Sequence, residues 1–309
     1  MAAQLSLPTI PEALGARLIG TGLDVLLLGL VSNQVCTYAA EYGSTDGVYL
    51  RLYVAGLASL VWAKSLVNLV YVWEKFITRF GDPTNVLPAI STYENRLVGS
   101  LAILVVTTVC YGQLYYIYRL YSLSRKNVYI TATLTLILVA AFVLSFASAT
   151  SFATLGVVGA QRTSKLVRAA YPLIIIGDIS LSFITAYFLL RFRQNAFAAT
   201  ANKLTRLIVL VFQTAAPATI IAVVDCVLIY VLPSLSAIPS SFLMTLANLW
   251  AFSVMWTLNE RNDRRARAAD GHGQAATAVH TMVNANRAPT QKGHAVAESR
   301  PSHNREEKR

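Results

Sequence analysis

Four charged side chains stand inside apolar runs of this chain. Asp24 lies in "TGLDVLLLG", Lys64 in "ASLVWAKSLVNLVYVW", Asp178 in "IIIGDISLS" and Asp225 in "AVVDCVLIY". A fifth polar group, Asn248, lies in "TLANLWAFS". One ammonium and three carboxylates in such surroundings can pair as a structural bridge, line a cavity for a ligand, or relay protons or ions. A charge near the centre of a bilayer costs about 2.5–3.5 kcal/mol even on the lenient insertion scale, so such groups face the interior of a bundle and find partners.

Other chemistries lack their residues. All four histidines, His272, His280, His294 and His303, fall in the C-terminal tail, which removes the usual intramembrane metal ligand and general base. A seven-helix zinc hydrolase would need intramembrane histidines, and a retinal protein would need a lysine in the last span, 237–257, which has none. Cys36, Cys110 and Cys226 lie in apolar runs and read as small buried residues rather than disulfide partners. The chain is therefore expected not to be an enzyme. No catalytic residue, cofactor site or metal site is expected.

The elements that carry these groups follow from length and composition. A membrane helix needs about 20 mostly apolar residues. Seven runs qualify: 14–38, 49–74, 97–121, 128–150, 168–191, 206–231 and 237–257. Their linkers hold breakers such as "EYGSTDG" and "RFGDPTN". The runs are too long for barrel strands and do not alternate. The chain of 309 residues is 55% hydrophobic and only 13% charged, against about 25% charged for a soluble domain. The expected fold is all-α: a polytopic membrane protein with seven transmembrane helices and a disordered C-terminal tail. Residues 1–13 are expected as a short extracellular or lumenal N-terminus, 14–257 as the membrane domain, and 258–309 as a basic cytosolic tail.

Placing the N-terminus outside puts twelve Lys/Arg at cytosolic helix ends and seven at outer ones. The positive-inside bias therefore favours N-terminus out and C-terminus in, with the plasma membrane preferred over internal membranes. The net charge of +11 follows this membrane topology, and nucleic acid is not expected as a partner. The tail, rich in Ala, Asn, Gly, Pro and charge, reads as disordered. Arg261, Arg264, Arg265 and Arg267 open it, where each could attract anionic headgroups by about 1 kcal/mol. A stop-transfer anchor is the simpler reading of these four.

At 1.5 Å per residue, Lys64 and the three aspartates all fall in the outer half of the bilayer, with Asn248 near mid-depth. The first two helices share a short loop, so Asp24 and Lys64 are expected to pair. Asp178 and Asp225 are left as candidates for a wet, negatively charged cavity. Pro217, in "QTAAPATII", interrupts the backbone hydrogen bonding of the sixth run and is a candidate hinge. The tyrosine-rich "YGQLYYIYRLY" of the third run reads as an interfacial belt.

Several stretches resemble a fungal, basidiomycete-type family of seven-helix membrane proteins, domain of unknown function 6534. They are "LGARLIGTGLD", "ITRFGDP", "QLYYIYRLYSLSRKN", "GDISLSFITAYFLLRFR", "NKLTRLIVLVFQTA" and, most specific, "LANLWAFSVMWTLNER" with its Leu258-Asn259-x-Arg261 ending. In this resemblance Asp178 matches the family's fifth-helix aspartate. Two features depart from it. Lys64 stands near the place of a second-helix aspartate and histidine, and Ala215 stands where glycine is common. The resemblance implies a fold and a fungal membrane setting but no activity.

Taken together, the residues point to a receptor-like bundle with a polar cavity in its outer half. Its partners would be the lipid bilayer and a small-molecule ligand from outside. A small-solute transporter and a structural membrane protein without ligand are the alternatives. The topology predicts that an epitope on the tail of intact cells is labelled only after permeabilisation, whereas one before Leu14 is labelled without it; the opposite pattern would reverse the orientation.

Overall fold

The computed structural model describes residues 10–43, 45–79, 92–124, 127–194, 217–231, 238–239 and 241–260. They are helical, with no strand among them. The helices are α1 (Ile10–Tyr42), α2 (Val48–Trp73), α3 (Thr92–Leu123), α4 (Val128–Leu155) and α5 (Ala160–Gln194), followed by α6 (Pro217–Val231) and α7 (Ser241–Glu260). Six of them are long and apolar enough to cross a membrane; α6 is shorter within the described residues. The last described residue is Glu260, and residues 261–309 lie outside the described residues. These include Arg261, Arg264, Arg265 and Arg267, and the expected disorder of the tail falls there as well.

The helices overrun the expected spans. The first begins at Ile10, inside the segment expected as a free N-terminus, and α5 begins at Ala160, eight residues before Arg168. Hydropathy locates the part of a helix that can sit in lipid, whereas backbone hydrogen bonding carries the helix on through flanking polar residues. The second span does not end at Trp73 but continues as a π-helical turn, Glu74–Thr78. There Lys75 and Arg17 flank the Tyr71 ring, with the Arg17 guanidinium carbon 4.5 Å from its centroid. Between α4 and α5 the chain makes one 3-10 turn, Gly156–Gly159. Gly156 opens it with φ 51°, a left-handed value that glycine takes without steric cost.

Side-chain hydrogen bonds give the relative directions. Ser241 Oγ donates to Ala16 O at 2.9 Å, Asn248 Nδ2 to Asp24 O at 2.9 Å, and Asn259 Nδ2 to Gln34 O at 2.8 Å. The partners are 225, 224 and 225 residues apart. A constant offset means that α1 and α7 run parallel and in register. Helices α5 and α6 run antiparallel: Tyr171 OH meets Asp225, and three residues earlier on α5 the carbonyl of Arg168 accepts from Tyr230 OH at 2.7 Å. That second bond has a cause in the sequence. Pro172 lies inside α5 and has no N–H, so the carbonyl four residues back, Arg168 O, loses its helical donor. Tyr230 supplies one.

Helix α7 is the centre of the bundle. Its apolar stretch is 72% buried, against 22–39% for the other five long helices. Leu18, Leu26, Leu136, Val143 and Phe183 stand exposed on the outer helices, a pattern that suits lipid rather than water. The tyrosines of the third run depart from a simple interfacial belt. Tyr118 is exposed, but Tyr111 stacks on Tyr53 at 4.6 Å between ring centroids, and Tyr116 is buried against Trp250 and bonded to Ser253 at 2.5 Å. Sequence alone could not separate these rings, because their orientation depends on which helix lies alongside. Cys36 is likewise exposed, not buried, while Cys110 and Cys226 are half-buried; all three are free.

The contact between α1 and α7 depends on small residues. A Cβ placed on Gly20 would come within 2.6 Å of Ser241 Cβ and 3.0 Å of its Cα, so any side chain there separates the two helices. Gly22, on the exposed face of the same helix, has nothing within 4 Å. Gly20→Val is expected to destabilise the detergent-solubilised protein by about 1–3 kcal/mol, the range for overpacking, and Gly22→Val to leave it nearly unchanged. Equal melting temperatures for the two variants would contradict this packing.

Candidate functional site

Asp24 is fully buried and accepts four hydrogen bonds from three side chains. The Lys64 ammonium forms an ion pair with Oδ1. Asn248 Nδ2 reaches the same oxygen at 2.8 Å, and Asn68 Nδ2 reaches Oδ2 at 3.2 Å. The Asp24 main-chain oxygen takes the further bond from Asn248 described above. Lys64 also donates to Met244 O at 3.2 Å, and Asn68 to Thr21 Oγ1 at 3.3 Å. One carboxylate therefore ties α1 to both α2 and α7.

Why these residues converge is readable from helix geometry. Thr21 and Asp24 are three apart and share a face of α1; Lys64 and Asn68 are four apart and share a face of α2. The loop between the two helices is short, so these faces meet. Ser241 and Asn248 are two turns apart on α7 and meet the same face of α1, next to Gly20.

The expected five-residue cluster thus splits. Asp24, Lys64 and Asn248 come together, joined by Asn68 and Thr21, which the sequence reading passed over. The signal for Asn68 was present: an amide one turn beyond a buried lysine. Asp178 and Asp225 stand apart from that cluster and from each other's hydrogen bonds. Asp178 Oδ1 accepts from Gln113 Nε2 on α3 at 2.8 Å, and Asp225 Oδ2 accepts from Tyr171 OH on α5 at 2.5 Å. Both carboxyl groups are buried, and neither is ion-paired among the described residues. Each keeps one oxygen, Oδ2 of Asp178 and Oδ1 of Asp225, without a hydrogen-bond partner there.

These two pairs border a cavity of about 180 Å³ between α3, α4, α5, α6 and α7. Gln113 and Tyr171 line it, with Asp178 and Asp225 behind them. The rest of the wall is chiefly apolar, including Val105, Phe142, Ala149 and Leu246. The cavity is therefore not the wet, negatively charged site expected from the two aspartates. Their helices turn the carboxyl groups onto neighbouring helices and leave the hydroxyl and amide partners on the wall. Pro217 is the first described residue of α6, so the backbone that a hinge there would bend, residues 195–216, lies outside the described residues. No group of three or more His, Cys, Asp or Glu suited to a metal ion occurs among the described residues.

Compared with protein-family models, with curated proteins and with solved structures, the chain matches none. The geometry above, with six helices long and apolar enough to span a bilayer, is that of a bundle suited to a multi-pass membrane protein.

The pairing predicts an asymmetric double-mutant cycle. Lys64→Met leaves Asp24 two amide donors, whereas Asp24→Leu leaves a buried ammonium with one carbonyl. Breaking a buried pair costs about 3–5 kcal/mol, and Asp24→Leu should fall at the upper end of that range. The double variant should fall short of the sum of the two singles by about 1–3 kcal/mol, measured as stability in detergent. Strictly additive losses would mean that the two charges do not support each other.

Proposed function

We propose that this chain is a receptor-like seven-helix membrane protein whose small ligand enters from outside and occupies the cavity between α3, α4, α5, α6 and α7. The observation that carries the reading is the attachment of α6 to the cavity wall. Tyr171 lines the cavity and bonds Asp225 of α6, while Tyr230 of the same helix caps the carbonyl freed by Pro172. A ligand pressing on Tyr171 would disturb both ties and shift α6 against α5. Interfaces of this kind, with a few alternative polar contacts, turn small displacements into helix shifts.

Seven spans are supported by the parallel register of α1 and α7. Six alternating crossings would leave the last helix antiparallel to the first. A crossing that includes α6 restores the parallel arrangement. The polar cluster at Asp24 serves in this reading as the frame, since its ammonium and both carboxylate oxygens are engaged inside the packed bundle. The resemblance to the fungal seven-helix family fits the same architecture.

The transporter and the ligand-free structural protein are separated from the receptor by one reconstituted system. The three native cysteines are replaced, and an environment-sensitive dye is attached at Val231→Cys on the exposed end of α6. Small apolar compounds that stabilise the protein are expected to change the dye signal without crossing the proteoliposome membrane any faster than through lipid alone. The double variant Tyr171→Phe/Asp225→Leu, which removes both buried partners together, should bind but give less than about a third of the signal. Protein-dependent solute uptake would favour the transporter, and an absence of any stabilising compound would favour the structural role.

A further inference from the structure

The chemistry of the cavity wall restricts what can occupy it. A cavity of about 180 Å³ is close in size to engineered apolar cavities of ~150 Å³ that take up benzene, so it has room for roughly six to ten heavy atoms. Lining residues on α3 run from Val98 to Gln113 and those on α5 from Thr163 to Ile174, so the space is elongated along the bundle. Gln113 lies at the end of the α3 stripe, level with Asp178 at the middle of α5.

We infer that the cavity takes a neutral alcohol, a molecule with one hydroxyl and a short apolar body, seated with its hydroxyl on Gln113. This rests on the ligand-cavity reading above. Gln113 gives one N–H to Asp178, so its amide oxygen and second N–H remain for the cavity side. A hydroxyl is both donor and acceptor and can answer that amide. A hydrocarbon would leave the amide without a partner, which costs more than the net value of a hydrogen bond. A carboxylate would be stripped of water where no Lys, Arg or His lines the wall, and Gln113 and Tyr171 on that wall already hold the carboxyl groups of Asp178 and Asp225. An ammonium would find carboxylates only behind Gln113 and Tyr171, which already engage one oxygen of each. The remaining wall is mostly Ala, Val, Leu and Phe and accepts a short alkyl body; its other hydroxyls are Ser145, Ser148 and, at the end away from Gln113, Thr163.

The test uses the full chain in lipid nanodiscs and a 1-hexanol carrying an aliphatic diazirine. After photolysis, the labelled peptides are expected to come from the cavity stripes of α3 and α5. At equal membrane concentration, 1-octanol should compete about fivefold better than n-octane, the factor for one net hydrogen bond of about 1 kcal/mol. Octanoate and octylammonium should compete less well than 1-octanol. In the double variant Gln113→Leu/Asp178→Leu, which leaves no buried carboxyl orphaned, labelling should persist while the advantage of octanol over octane disappears. Ala149→Phe, which fills the space from α4, should abolish labelling. Stronger competition by octanoate or octylammonium, or an octanol advantage that survives in the double variant, would overturn the alcohol assignment and leave the cavity reading intact. Labelling confined to lipid-facing residues, unchanged by Ala149→Phe, would overturn the cavity reading itself.

Discussion

The carboxylate of Asp24 sets the arrangement of half this bundle. In a dry interior an ionised group is tolerable only when charge and hydrogen bonds compensate it, so its donors are held as firmly as it is. Those donors come from two other helices: Lys64 and Asn68 from α2, and Asn248 from α7. Apolar packing between membrane helices has little orientational preference, because lipid tails are as apolar as leucine. A directed polar cluster fixes rotation and register where apolar contact alone would permit sliding. The constant offset of the α1–α7 contacts, maintained from Ser241 past Asn248 to Asn259, is what such a fixed register looks like.

The other half of the bundle is built differently. Helices α3, α4 and α5 pack around an apolar space, and the polar bonds there are single and local, Gln113 to Asp178 and Tyr171 to Asp225. Helix α7 separates the two regions and belongs to both. Its Met244 carbonyl accepts from Lys64, while the neighbouring Leu243 and Leu246 side chains line the cavity. A polar frame thus stands on one side of α7 and an apolar chamber on the other. Pro172 sits on the chamber side, where the carbonyl it frees is recovered by Tyr230 from the neighbouring helix.

Much of this was legible in the sequence. Apolar runs of membrane length give the helices, and the depth arithmetic, together with a short loop, brings Asp24 opposite Lys64. Those inferences work because they depend on quantities the chain fixes locally: 1.5 Å of rise per residue, the cost of a buried charge, and the reach of a short linker. The presence of Asn248 near mid-depth was equally readable, as was the existence of three carboxyl groups that had to be satisfied somewhere.

Only the tertiary structure decided which neighbour satisfies each group. Asp178 and Asp225 have the same residue type and the same kind of surroundings as Asp24, yet one turns to an amide on α3 and the other to a phenol on α5. That choice depends on the rotation of each helix about its axis and on which non-consecutive helices touch, and neither is encoded within a single segment. The tyrosines of α3 divide into stacked, buried and exposed rings for the same reason. Pro172 frees a carbonyl within α5, and the donor that repairs it lies 62 residues away in the chain. Local sequence determines which polar groups must be compensated. Long-range packing determines by what, because compensation in a low-dielectric interior requires contact within about 3 Å, and such contact exists only once the helices have docked.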